Sequence, residues 1–179
     1  MAYQDDIKKA AALLLPWNKL SGCNILVTGA TGLIGGCLVD VLMAHKGRNY
    51  NVYASGRNEE RAGRRFLKYA DDNSFHFVKY DVAHPLEYDV NFQYIIHAAS
   101  GAYPEEFIKH PVEVIKGNIN GVDNLMGYGI QHGIKRLLYI SSGEVYGEGD
   151  GRVFTENYSG YVDCTSLRSC YPSSRSEEH

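Results

Sequence analysis

A glycine-rich run between a strand pattern and a helix pattern constrains this chain most. Residues 28–35 read Thr-Gly-Ala-Thr-Gly-Leu-Ile-Gly, after an apolar strand pattern and before a helix predicted over 36–46. Gly29 permits a tight turn, Gly32 leaves the backbone open to a phosphate, and Gly35 lets the helix pack closely on the strand. The run predicts a dinucleotide-binding turn, with N–H groups at the helix start facing the anion. The alternative is a strand-to-helix turn that is glycine-rich by chance.

Strand patterns alternate with helix patterns along the rest of the chain. We predict strands over 24–28, 50–55, 75–80, 93–97 and 136–141, and helices over 36–46, 59–70 and 112–132. Such alternation predicts an α/β fold of the Rossmann type, a doubly wound parallel sheet of strand order 3-2-1-4-5 with helices on both faces. Ligands bind these sheets beyond the carboxyl ends of strands one and four, which is where the glycine run falls.

The two ends of the chain differ from this alternating core. Residues 1–20 are interpreted as an N-terminal helical extension, because Asp5 precedes an apolar set at Ile7, Ala11 and Leu14. Residues 21–179 form the predicted dinucleotide-binding domain. Its polar stretch over 147–169 is glycine-rich without periodicity, which predicts a long loop.

Composition narrows the class of protein. The chain has 179 residues and a formal net charge of −3, so nothing in its charge favours nucleic acid or an anionic membrane as partner. It has no apolar run of membrane-spanning length, and its start lacks the basic-then-apolar order of a signal peptide. Its four cysteines lack CxxC pairs or metal-ligand spacing. We therefore expect a cytoplasmic protein with free, mostly packed thiols and no metal site.

Several short motifs follow the strands in a fixed order. They are the glycine run, Asp81-Val82 after strand three, His97-Ala98-Ala99-Ser100 after strand four, Asn118 in the long helix, Ser-Ser-x-x-Val-Tyr-Gly at 141–147, and Tyr-x-x-x-basic at 171–175. As an ordered set they resemble the extended short-chain dehydrogenases/reductases of the NAD-dependent epimerase/dehydratase family, which act on nucleotide sugars. The resemblance covers most of residues 21–175.

The resemblance implies an NAD(P) cofactor and the residues that hold it. The expected contacts are Gly29, Thr31, Gly32, Leu33, Ile34 and Gly35 in the turn, Arg57 after strand two, Asp81 and Val82 near the adenine, and Ala98, Ala99 and Ser100 past strand four. Many NAD-binding domains carry an acidic residue at the end of strand two, whereas this chain has Ser-Gly-Arg-Asn over 55–58. Arg57 could pair with a 2′-phosphate, which favours NADP. Asn118 is expected to be a structural hydrogen-bonding residue.

The resemblance also implies a catalytic set. Tyr171 would be the base toward a sugar hydroxyl, and Ser142 would orient the reacting oxygen. A neighbouring cation favours the phenolate form that such a base needs. Glu144 lies where the dehydratases and sugar-acid decarboxylases of the family carry an extra acid/base. Gly143 replaces the aspartate of the dehydratase pattern, so epimerase, dehydratase and decarboxylase activity all stay open.

Two departures from the family pattern shape our expectations. The basic residue four positions after Tyr171 is Arg175 rather than lysine. The guanidinium of arginine is larger and planar and cannot reproduce a compact ammonium. We therefore expect impaired catalysis. The chain ends at His179, so we expect the Rossmann domain to be incomplete at its C-terminus and the substrate domain to be missing. The alternatives are a nucleotide-sugar enzyme, an NAD(P)-binding fragment or binding module without chemistry, and a homo-oligomer or other assembly in which a second chain completes the site.

Overall fold

The computed structural model describes residues 2–101 and 104–176, and its centre is a parallel sheet of five strands. The strands are β1 (Asn24–Thr28), β2 (Asn51–Gly56), β3 (Phe75–Lys79), β4 (Tyr94–His97) and β5 (Arg136–Tyr139). Their spatial order is β3-β2-β1-β4-β5, and every neighbouring pair is parallel. The predicted fold class, strand order and strand positions are confirmed, with ends that shift by a residue or two.

Within the described ranges, six α-helices surround the sheet. They are α1 (Ala2–Ala11), α2 (Leu33–Ala44), α3 (Glu59–Phe66), α4 (Pro104–Lys109), α5 (Pro111–Gln131) and α6 (Cys170–Ser176). The three helices predicted after the glycine run are confirmed as α2, α3 and α5. Helix α2 begins at Leu33 instead of residue 36, because its first turn uses the glycine run itself. Helices α4 and α6 were not predicted.

Each face of the sheet has its own core. On one face, Val27 and Val52 pack with residues of α2 and α3, among them Phe66. On the other face, Leu26 and Ile95 pack with residues that include Leu125 and Tyr128 of α5. Burial on both faces explains why the central strands read as continuous apolar runs. The two cores fix the carboxyl ends of β1 and β4 side by side.

Helix α1 packs on α2 and buries Ile7 and Ala11, as the sequence predicts. The prediction for Leu14 is wrong, since its side chain is fully exposed. The helix ends at Ala11, and the chain turns away before Leu14 can join the apolar face. None of the helices in residues 2–101 and 104–176 is long and apolar enough to cross a membrane.

The stretch over 147–169 is an irregular loop, as predicted, apart from a bridge between Glu148 and Tyr161 and a short 3-10 turn at Leu167–Ser169. The thiols are free and differ in burial. Cys23 and Cys170 are buried, Cys37 is half-buried and Cys164 is exposed.

Candidate dinucleotide site and catalytic residues

The glycine turn is closed by the main chain of two strands. Gly29 has φ +64°, and a Cβ there would lie 2.6 Å from the Ala98 carbonyl oxygen. A Cβ on Gly35 would overlap the Gly29 carbonyl. Gly32 is different, because an added Cβ would meet only the Gly29 oxygen, at 3.2 Å. Packing therefore requires glycine at positions 29 and 35, whereas space is left beside Gly32. Thr31, the residue before Gly32, lies against Gly56 at the end of β2.

The first N–H groups of helix α2 have no side-chain cap. Gly32 is the N-cap and has no side chain to bond them. The Gly36 N–H donates to the Gly32 carbonyl at 3.0 Å, which is the first hydrogen bond of the helix. The N–H groups that precede Gly36 come before the first i to i−4 bond of the helix. The side chains of Leu33 and Ile34 are 87% and 52% exposed, although both are apolar. An uncapped helix start beside an open glycine fits the pyrophosphate of a dinucleotide.

A buried pair that the sequence analysis did not single out joins the two strand ends. Thr28 Oγ1 lies 2.7 Å from His97 Nδ1, and the Ala99 N–H donates to the same Thr28 oxygen at 3.4 Å. Thr28 and His97 are both fully buried. Burial, together with the positive charge of Arg175, lowers the pKa of His97 to about 4. The ring is therefore neutral at physiological pH and holds β1 to β4 without adding charge to the site.

The residues expected near the adenine and ribose lie together. Arg57 is largely exposed, and its guanidinium lies 4.0 Å from a carboxylate oxygen of Asp81. Asp81 accepts a hydrogen bond from the Ala83 N–H at 3.1 Å. The Val82 carbonyl accepts one from the Asn124 side chain at 2.9 Å. The loop after β3 is thus fixed, while Arg57 stays accessible to a ligand.

A series of side-chain hydrogen bonds connects the loop after β4 with α6. The Ser100 hydroxyl donates to Asn118 Oδ1 at 3.2 Å, and Asn118 Nδ2 donates to Ser174 Oγ at 2.9 Å. The Ser174 hydroxyl donates to the Cys170 carbonyl at 2.6 Å. Asn118 therefore has the structural role that the sequence predicts. Ser174 was missed, because its importance depends on a contact with a distant helix.

The expected catalytic residues lie on adjoining elements. Ser142 Oγ accepts the Glu144 N–H at 3.2 Å at the start of the 3-10 turn Gly143–Tyr146, and α6 packs against that turn. Tyr171 is buried, and its ring stacks on Phe107 with centroids 4.6 Å apart. Within the described ranges, no hydrogen bond joins Ser142 to Tyr171. Glu144 forms an ion pair with Arg168.

Arg175 lies deep inside the protein. Its side chain donates to the Ile140 carbonyl, and the guanidinium carbon lies 4.2 Å from the Tyr139 ring centroid and 5.7 Å from that of Tyr171. Its Nε and Nη1 atoms find no hydrogen-bond partner among the described residues. Spare donors on a buried cation suit a ligand that brings acceptors. They fit a cofactor whose reactive end lies past β4 and β5.

A parallel sheet of this order, with a glycine turn and a helix start at its switch point, defines a Rossmann-type fold. The sequence pattern of the NAD dependent epimerase/dehydratase family matches residues 25–176. The chain belongs to that family.

Curated relatives include UDP-glucuronic acid decarboxylases. The chain is 35% identical over 154 residues to UDP-glucuronic acid decarboxylase 6 of Arabidopsis thaliana, a match that covers 84% of this chain and 43% of that protein. It is 32% identical over 149 residues to UDP-glucuronic acid decarboxylase 1 of Danio rerio, with 82% and 34% covered. The matched region thus spans less than half of either relative.

Solved structures share the fold at lower identity. The UDP-Glc/GlcNAc 4-epimerase of Campylobacter jejuni superposes with a TM-score of 0.69 at 21% identity, covering 88% of this chain and 47% of that one. The dTDP-glucose 4,6-dehydratase of Streptomyces venezuelae, solved with NAD bound, gives 0.69 at 21% identity, covering 85% and 49%.

Proposed function

We propose that this chain binds a nicotinamide dinucleotide and forms the cofactor half of a nucleotide-sugar enzyme of the epimerase, dehydratase or decarboxylase kind. The observation that carries the proposal is the open side of Gly32 beside the uncapped start of α2. The family and the names of the relatives support the substrate class.

In the proposed reaction the dinucleotide supplies reversible hydride transfer when bound. Tyr171 accepts the proton of a sugar hydroxyl, and Ser142 donates a hydrogen bond that positions the same oxygen. Glu144 is the additional acid or base that elimination or decarboxylation chemistry needs. Phe107 fixes the Tyr171 ring by stacking, and the Asn118–Ser174 bond holds α6 in place.

We expect Gly32→Ala to weaken dinucleotide binding by about tenfold or more, which corresponds to about 1.4 kcal/mol. The new methyl group would occupy the side of the turn that the pyrophosphate approaches, while the fold has room for it apart from the contact at 3.2 Å. Titration calorimetry with NAD and NADP measures the affinity, and thermal melting shows whether the variant is still folded.

The matched control is Gly63→Ala, on helix α3, where an added Cβ meets nothing within 4 Å. It should leave dinucleotide affinity unchanged. Equal affinities for the wild type and Gly32→Ala would contradict the assignment of the turn. If the wild type binds neither dinucleotide at millimolar concentration, the proposed function is wrong. Turnover of a uridine or thymidine diphosphate sugar with added cofactor would support the full enzymatic proposal.

We also propose a preference for NADP, supported by the exposed Arg57 and the lack of a carboxylate over residues 55–58. Arg57→Ala should lower NADP affinity about tenfold and leave NAD affinity unchanged, because only NADP carries a 2′-phosphate for the guanidinium to bind. The control is Arg61→Ala, which also removes one positive charge, from an exposed arginine on α3. A similar loss of affinity for both dinucleotides would exclude this role.

The second candidate is a dinucleotide-binding module without chemistry. It is favoured by Arg175, whose guanidinium is already engaged by the Ile140 carbonyl and the Tyr139 ring. A planar fork held in this way differs from a mobile ammonium. Dinucleotide binding without turnover of any nucleotide sugar would support the module over the enzyme.

A further inference from the structure

Arg168 and Glu144 form a bidentate ion pair beside the proposed catalytic residues. Arg168 Nη1 and Nη2 each donate to a different oxygen of the Glu144 carboxylate, both at 2.8 Å. This parallel arrangement is the geometry in which a guanidinium recognises a planar carboxylate. The two residues are 24 positions apart, so the contact depends on the packing of the long loop.

The position of the pair relates it to the substrate. Arg168 belongs to the 3-10 turn Leu167–Ser169, which leads directly into α6 and Tyr171. Glu144 is held next to Ser142 through its own N–H group. The ion pair therefore joins the two segments that carry the proposed reacting groups, and 56% of the Arg168 side chain is exposed.

The energetics permit a substrate carboxylate to take the place of Glu144 on Arg168. The exchange replaces one carboxylate by another on the same guanidinium, so the two charge-assisted bonds lost with Glu144 are regained with the substrate, and both side chains of the pair are partly exposed to water. Arg175, whose guanidinium carbon lies 5.7 Å from the centroid of the Tyr171 ring, is buried and bound to the Ile140 carbonyl. A neutral hydroxymethyl group on a sugar could not form two charge-assisted bonds with Arg168.

We infer that Arg168 is a specificity-determining residue that binds the carboxylate of a sugar-acid nucleotide in place of Glu144. This inference rests on the proposed function and assigns its substrate class. Exchange releases the Glu144 carboxylate next to Ser142, where it becomes available as an acid or base. Glu144 thus holds the guanidinium in a carboxylate-binding geometry before substrate arrives.

The test compares the binding of UDP-glucuronic acid and UDP-glucose, each with dinucleotide present, by titration calorimetry. We expect the wild type to bind the acid more tightly. Arg168→Gln should weaken binding of the acid about tenfold and leave binding of UDP-glucose unchanged. Glu144→Gln should strengthen binding of the acid, because the competing carboxylate is lost. Arg152→Gln removes a second exposed arginine of the loop, paired with Asp150, and should change neither affinity.

Each other outcome overturns part of the argument. Equal binding of the two sugars by the wild type, or a parallel loss of both in Arg168→Gln, overturns the inference and leaves the proposed function intact. Failure of the wild type to bind either sugar overturns the inference, whereas the separate titration with NAD and NADP decides the proposed function. If Arg168→Gln melts early, Arg168→Lys replaces it, since lysine keeps the charge but loses the fork and must still reduce the preference for the acid.

Discussion

Gly29→Ala will destabilise the protein by about 3 kcal/mol or more, a large fraction of the stability of a typical domain. Gly29 has φ +64°, and the left-handed conformation costs an L-residue about 1–2 kcal/mol. The new Cβ would also lie 2.6 Å from the Ala98 carbonyl oxygen and 2.7 Å from the Ala99 Cα. Both neighbours are main chain at the end of β4, so relief requires the sheet to move, at a further cost of about 1–3 kcal/mol.

Gly133→Ala separates the cost of backbone strain from the cost of the clash with main chain. Gly133 has φ +72°, but an added Cβ there meets nothing within 4 Å. It should lose only about 1–2 kcal/mol, the cost of backbone strain. Urea unfolding of both variants measures the difference in the free energy of unfolding. Similar losses in the two variants would show that the close approach of β4 to the turn does not matter.

The features that the sequence predicted correctly are those encoded locally. The turn around Gly29 and the strands that flank it follow from glycine spacing and apolar runs, and the alternation of strands and helices fixes the strand order. Helix α6 escaped prediction, because the segment after Tyr171 has no apolar periodicity. It buries Cys170, Tyr171 and Arg175 through tertiary contacts with α4, α5 and the 3-10 turn Gly143–Tyr146.

The candidate site was predicted as a set of positions but not as a set of contacts. The motifs indicated Ser142, Glu144 and Tyr171, and the structure places them on adjoining elements. The Thr28–His97 pair and the Glu144–Arg168 ion pair had no counterpart in the motif analysis. Such pairs join residues far apart in the chain, and no local pattern specifies which distant side chain is the partner.

Asp40→Ala should cost about 3 kcal/mol, because it removes the buried charge of Asp40 and leaves its partners unpaired. Its carboxylate is fully buried and lies 2.6 Å from Arg65 Nη2 and 2.9 Å from Lys68 Nζ. It also accepts hydrogen bonds from the hydroxyls of Tyr3 and Tyr69, at 2.7 and 2.9 Å. It therefore ties α1, α2 and α3 together. Arg65 and Lys68 are partly exposed and can be rehydrated, which keeps the cost at the lower end of the range for a broken buried pair.

Glu60→Ala is the control, because Glu60 pairs with Arg64 on the surface of α3 with both side chains largely exposed. That variant should lose less than about 0.5 kcal/mol in urea unfolding at neutral pH. If Asp40→Ala were as mild as Glu60→Ala, the network would contribute nothing beyond an ordinary surface pair.

The same carboxylate predicts a pH dependence of stability. Burial alone would raise the pKa of Asp40, but hydrogen bonds from Arg65, Tyr3, Lys68 and Tyr69 outweigh it and lower the pKa from 3.8 to about 2. A folded-state pKa below the unfolded value stabilises the protein above about pH 4, and this contribution is lost as the pH falls toward 2. The lowering corresponds to about 2 kcal/mol. The difference in unfolding free energy between the wild type and Asp40→Asn should therefore be constant above about pH 4 and shrink by about 2 kcal/mol on further acidification. A difference that stays constant down to pH 2 would mean that Asp40 is not held ionised by its partners.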